Sequence, residues 1–225
     1  LNGKDRPIKI ELQNFLKESG DTPGTRKTFI YNTFEKLMKA ISKSLKKNDP
    51  NHLNLGIRYG YIEQLDDELL RISKESFDAL SFNCYALSPD HEKMNHALEI
   101  SGLPMIIGEY HFGTVDRGLA QSLWQVNSQK ERGDAFRYYT ENAFAHRGLI
   151  GTGWFRWIDQ NINGRTDGEN YNCGFIDVTD RPYPYMVDAA IETAKSLYEI
   201  HSGTKTPFHQ APNAVGHSPI PDLWE

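Results

Sequence analysis

The sequence predicts an α/β fold of the (β/α)8 TIM barrel type, with this chain supplying about the C-terminal half, strands 5–8. Three observations carry this. Apolar runs alternate with segments of helical periodicity, the order expected of βα units. The runs are largely apolar instead of alternating, as in parallel strands covered on both faces. Each run ends in polar and aromatic residues: Arg58-Tyr59, Asn83-Cys84-Tyr85, Glu109-Tyr110-His111 and Trp154 to Asp159. A barrel brings all its C-terminal strand ends to one pocket, whereas an open doubly wound sheet concentrates its ligand groups at one switch point.

Residues 25–48 read as one long helix, because Phe29, Ile30, Phe34, Leu37, Met38, Ile41 and Leu45 recur at spacings of three and four. Lys43, Lys46 and Lys47 fall where the helix dipole favours cations, and Asp49-Pro50 ends the segment. A short strand over 53–59 and a short helix over 66–76 follow. The apolar run 77–85 precedes a helix over 90–101 that Gly102 closes. Residues 104–108 read as a buried strand, and 129–147 as a helix with Phe136, Tyr139 and Ala143 on one face. A strand over 149–158 and a helix over 184–200 complete the series. Four such units are half a barrel, and half a barrel has two raw sheet edges. The chain opens Leu1-Asn2-Gly3-Lys4, with neither Met nor an apolar signal region, as if inside a larger unit. The expectation is therefore a half-barrel over 1–201, completed by an N-terminal half from the same or another chain. Residues 202–225, with Pro207, Pro212, Pro219 and Pro221, read as an extended tail on the barrel exterior.

Composition excludes several classes. At 225 residues and 38% apolar, the chain has material for a sizeable core, unlike a disordered or disulfide-scaffold protein. Its net charge is -5 and no Lys/Arg run stands out, which excludes a nucleic-acid partner. No apolar stretch approaches the ~20 residues of a membrane span. Cys84 and Cys173 fit neither a zinc ribbon nor a CxxC motif, and read as free buried thiols in preference to one long-range bridge. His91 and His96 miss the spacing of a helical zinc pair, and His201, His209 and His217 lie in or beside the tail. Asp159-x-Asn161-x-Asn163-Gly164 resembles the opening of a calcium loop, but Asn170 stands where the closing Glu belongs, with Glu169 one place early. A polar substrate-binding loop is the better reading. No GxGxxG, GxxxxGK[ST] or GxSxG occurs. No metal and no cofactor is expected.

The chemistry centres on Pro104 to Gly113, where an apolar strand delivers Glu109 at its C-terminal end and Gly108 permits close approach. The plain alternative is a buried Glu paired to an Arg or Tyr. Tyr85, ending the preceding strand, can donate to that carboxylate and keep it ionised. Trp154 and Trp157 offer flat faces for sugar rings, and Arg58 at a strand end suits a buried partner.

The segment Ile106-Ile107-Gly108-Glu109-Tyr110-His111-Phe112-Gly113, with Asp116-Arg117-Gly118, resembles the seventh-strand signature of the beta-agarases of glycoside hydrolase family 50, retaining glycosidases of clan A. Further blocks agree in order: Asp49 to Leu53 with Leu55 to Arg58, Gly151 to Gln160, Gly164-Arg165, Asp167 to Asn170, Gly174-Phe175 and Asp180 to Pro184. The resemblance covers roughly residues 30–200. It implies Glu109 as nucleophile, Tyr85 as the residue that orients it, and Trp154 as the platform under the sugar. His111, Asn83, Arg58, Asp159, Gln160, Glu169 and Asn170 become substrate-binding candidates. A retaining enzyme also needs a second carboxylate about 5–5.5 Å from the first. The family places it after an Asn at the end of the fourth strand. Ahead of the long helix stand only Glu11, Glu18 and Asp21, none following an Asn, so the general acid/base is expected to be missing and the fragment inactive alone. The resemblance further implies a galactose-containing, agarose-like polysaccharide substrate and a secreted or periplasmic location. The alternatives are a beta-galactosidase or other clan A exo-glycosidase, and a non-catalytic carbohydrate-binding barrel.

Overall fold

The computed structural model describes residues 6–216 and opens with two helices. Helix α1 (Pro7–Ser19) starts at a proline, whose fixed φ suits a first turn. It buries none of its residues and rests on α2 through Phe15 and Phe29, ring centroids 5.5 Å apart. Ile8, Leu12, Phe15 and Leu16 recur at spacings of three and four, a helical pattern that the sequence reading passed over. Helix α2 (Pro23–Asn48) begins at a capping box: the Thr25 N–H donates to Thr22 Oγ1 (3.1 Å) and the Thr22 N–H to Thr25 Oγ1 (3.0 Å).

Strand β1 (Arg58–Tyr59) takes only the end of the expected 53–59 run. A 3-10 turn (Ile62–Gln64) leads to α3 (Asp67–Ser76), capped by Asp66. Then come β2 (Leu80–Asn83), α4 (His91–Ser101), β3 (Met105–Tyr110), β4 (Trp124–Gln125), α5 (Gln129–Phe144), β5 (Leu149–Trp154), α6 (Pro184–His201) and β6 (Val215–Gly216). Asp90 and Ser128 cap α4 and α5, and Gly102 ends α4 in the left-handed region at φ 68°.

The main sheet has the order β1-β2-β3-β5, every pair parallel. Crossovers carry helices, so all C-terminal strand ends point to one edge. This is an α/β fold on a parallel sheet. Among the described residues, the outer edges of β1 and β5 carry no strand. A second, two-stranded sheet pairs β4 with β6 antiparallel.

The core lies between the sheet and its helices. Leu80, Phe82, Met105, Ile107 and Leu149 are buried against Met94, Ala97, Ala135, Tyr139 and Met186. Each such large side chain contributes about 1.5–3 kcal/mol when fully buried. Tyr110 stacks on Tyr139 of α5 at 4.0 Å and 10°. Met38, Ile72 and Phe77 pin α2 to α3. By contrast Ile30, Leu37, Ile41 and Leu45 form an exposed apolar stripe on α2, and Ile150 of β5 is also exposed.

One charge is fully buried. The Arg132 guanidinium donates to Phe112 O (3.1 Å), Gln129 Oε1 (2.7 Å) and Gly174 O (2.7 Å), and lies 5.0 Å from the Tyr183 ring centroid. Asp159 stands one link away, accepting from Asn172 Nδ2 (2.8 Å), the Gly174 N–H (2.6 Å) and the Tyr183 hydroxyl (2.6 Å). Burial lowers the Arg132 pKa, and the Asp159 charge opposes that. This cluster closes the long 155–183 connection against α5.

Cys84 and Cys173 are free and buried, and burial pushes their thiols up to about 11 and about 12. Among the described residues no helix is long and apolar enough to cross a membrane. Leu1 to Lys4, His217, Pro219 and Pro221 lie outside the described residues.

Helices α5 and α6 touch at Gly133, where an added Cβ would stand 2.5 Å from the backbone oxygen of Tyr185. Backbone cannot yield as a side chain can. Gly133→Val is expected to lower unfolding free energy by about 1–3 kcal/mol in urea titrations; an unchanged midpoint would contradict this packing.

Candidate active site

Three strand ends converge on one carboxylate. Glu109, near the end of β3, takes Arg58 Nη2 of β1 at 2.8 Å from Oε1. Its Oε2 accepts from Asn83 Nδ2 of β2 (3.0 Å) and from the Tyr85 hydroxyl just beyond β2 (2.8 Å). The Glu109 side chain keeps 18% exposure, so it reaches solvent while both oxygens are held. The β2–β3 register shifts at Phe82/Asn83, which sets Asn83 opposite Glu109. Gly108 has a steric duty: a Cβ there would collide with Arg58 Cδ. Asn83 Oδ1 is buried without a partner. Burial first, then the Glu109 charge, pushes the Tyr85 pKa far up, so its hydroxyl stays a donor.

His111 supports this group from behind. The Leu123 N–H donates to its Nε2 (3.1 Å), so Nε2 is the acceptor and Nδ1–H donates to Phe155 O (3.0 Å). The ring is neutral, and burial drives its pKa to about 3. Its edge meets Tyr85, centroids 4.9 Å apart. At 1% exposure, with both nitrogens engaged, it has nothing to offer a substrate, which corrects the binding expectation.

Trp154 needs a second correction. It packs edge-on to Tyr110 (5.1 Å), Phe136 (5.6 Å) and Phe175 (5.7 Å), and its indole N–H donates to Cys173 O at 2.7 Å. That is the helix side of the sheet. The β3–β5 register shifts twice, between Met105 and Ile106 and between Ile107 and Tyr110, and it leaves Trp154 opposite Tyr110, which stacks on α5. Phe155 instead lies beside His111 (5.9 Å), with the Arg165 guanidinium 5.7 Å from its ring centroid.

The 155–183 connection redistributes the remaining candidates. Asp159, 4% exposed, is consumed by Asn172, Gly174 and Tyr183, which also turns it away from any calcium-type loop. Gln160, 0% exposed, bonds Glu169 Oε2 (2.7 Å) and the Tyr171 N–H (2.7 Å). Both are internal braces, not substrate ligands. Glu169 also pairs with Arg165 at 3.1 Å, and Asn170 donates to Ile162 O at 3.4 Å, both in the loop over the site. Glu11 and Glu18 lie on α1, and Asp21 pairs with Arg26 at 2.6 Å, away from Glu109. Among the described residues, no group of three or more His, Cys, Asp or Glu is placed to hold a metal ion.

Sequence reading missed Phe155, Arg165 and Arg132. Phe155 and Arg165 stand inside blocks already singled out. Arg132 lies one turn before Phe136 on the same helix face, so a charge on an apolar stripe was the available signal.

Comparison with known proteins places the chain among described sequences. Over 165 residues, 70% of the chain, it is 36% identical to beta-agarase A of Vibrio sp. (strain JT0107). Beta-agarase B of the same strain is 34% identical over 72% of the chain. The chain belongs to glycoside hydrolase family 50, the beta-agarase family. No family model matches it. A solved exo-beta-agarase superposes with a TM-score of 0.74 at 32% identity, over 81% of this chain and 24% of that structure. The family 50 chain described here spans only 16% and 17% of the lengths of the two curated relatives.

Two outcomes follow. Gly108→Ala should leave folding nearly intact, because Arg58 is flexible, yet displace its guanidinium from Glu109; a crystal structure of the variant reads this directly. The second concerns acid. Above pH 6.5 His111 is neutral folded or unfolded. Between 6.5 and about 3 the unfolded chain binds a proton that the native site refuses, so stability falls across that window. His146, held by burial at about 4, adds to the fall. Urea midpoints measured from pH 7 to 4 should decline steadily.

Proposed function

We propose that this chain is the nucleophile-bearing, C-terminal half of the catalytic barrel of a retaining glycoside hydrolase that acts on an agarose-like, galactose-containing polysaccharide. The observation that carries it is Glu109, held at a strand end by Arg58, Asn83 and Tyr85 while open to solvent. Such donors fix its aim. Glu109 attacks the anomeric carbon as the glycosidic oxygen leaves with a proton from the acid. The glycosyl ester then takes up water, and the same three donors stabilise the carboxylate that departs. Phe155, not Trp154, is the aromatic face beside that centre. Arg58 and Asn83 act on Glu109 instead of gripping sugar. Glu169 and Asn170 stay on the rim as sugar contacts.

The acid/base comes from the other half of the barrel. Three features support that half as partner: the bare edges of β1 and β5, the exposed α2 stripe from Ile30 to Leu45, and the exposed Ile150. Among the described residues, 6–201 belong to the half-barrel and 202–216 to the segment that follows it. A secreted or periplasmic location suits a substrate too large to enter a cell.

In the complete enzyme, Glu109→Ala should lower turnover on the order of a thousandfold. Added azide should then restore turnover by occupying the vacated space, and yield a glycosyl azide of inverted configuration. Activity near that of the parent would remove Glu109 from the chemistry. Tyr85→Phe removes one hydrogen bond to a charged group, about 1.5–3 kcal/mol, and should slow turnover about tenfold or more, with the glycosyl-enzyme accumulating.

A further inference from the structure

We propose that residues 205–216 are a strap that positions Glu109, so that the C-terminal segment governs turnover without touching substrate. The inference rests on Glu109 being the nucleophile.

The strap starts at a buried acid. Glu141 of α5 is 1% exposed. Its Oε1 takes Arg137 Nε (3.0 Å) and Thr193 Oγ1 (3.1 Å), which leaves Oε2 for the Phe208 N–H at 2.7 Å. Asn142 Nδ2 donates to Phe208 O at 3.1 Å, and the Arg137 guanidinium sits 4.6 Å from the Phe208 ring centroid. Helix α5 thus holds both backbone groups and the ring of one tail residue. At the other end of α5, Asn127 Nδ2 meets Asn213 O at 3.5 Å.

The strap then adds a strand to the site's own loop. Val215 and Gly216 pair with Gln125 and Trp124, and a Cβ on Gly216 would stand 3.1 Å from the Trp124 ring. Trp124 O accepts from the Gly113 N–H and Gly113 O accepts from the Val126 N–H, each at 2.9 Å, just beyond β3. One residue earlier, the Leu123 N–H holds His111 Nε2. His111 abuts Tyr85, and Tyr85 donates to Glu109. An unbroken series of backbone pairs, hydrogen bonds and ring contacts runs from the tail to the carboxylate. Misplacing a reacting group by a fraction of an ångström is costly to turnover but not to binding.

The test uses the complete enzyme with residues 207–225 deleted. The expected result is kcat about tenfold lower with KM within about twofold, in protein whose circular dichroism shows it folded. If that deletion does not fold, Gly216→Val keeps the Phe208 anchor and wedges only the Trp124 contact, with the same expectation. A folded variant with unchanged kcat overturns the strap, as does a loss fully accounted for by the unfolded fraction. Glu109→Ala assayed in parallel separates the two ideas: an active Glu109→Ala sinks the nucleophile, while an inactive one beside a fully active strap variant sinks the strap alone.

Discussion

The buried guanidinium of Arg132 is the constraint on which the upper edge of the sheet depends. Its four acceptors come from the segment just beyond β3, the first turn of α5 and, twice, the 155–183 connection. None is a carboxylate, so the balancing charge of Asp159 arrives through Asn172 and Tyr183. A cation taken out of water is tolerable only when every donor finds an acceptor. That demand fixes the segment after β3 and the 155–183 connection relative to one helix.

Much of this was legible in the sequence, for identifiable reasons. The helices at 23–48, 67–76, 91–101 and 184–201 declare themselves through spacing and caps, and the strand 105–110 through its unbroken apolar run. Glu109 and Tyr85 were visible because each closes such a run. What stayed hidden depends on long-range geometry. The two register shifts between β3 and β5 have no local signature, so the facing of Trp154 toward Tyr110 comes unannounced. Asp159 and Gln160 look like pocket residues because they are polar beside a strand. They are buried because their own loop folds back and offers them partners. Helix α1 carries a short stripe, Ile8, Leu12, Phe15 and Leu16, and rests on its neighbour without burying it.

The site and its supports divide their labour by solvent exposure. Glu109 and Arg58 stay partly wet. His111, Asp159, Gln160 and Arg132 are dry and hold neighbouring residues in place. Polar residues near a strand end therefore sort by how many of their hydrogen-bonding atoms remain free. On that measure His111 belongs with the scaffold despite standing two residues from Glu109.

The two cysteines carry a quieter consequence. Both thiols sit in dry surroundings that hold them protonated well beyond ordinary pH. Oxidants and disulfide partners react with the thiolate, which these sites scarcely populate. In the folded chain both sulfurs are therefore shielded from cross-linking, and unfolding is what would expose them.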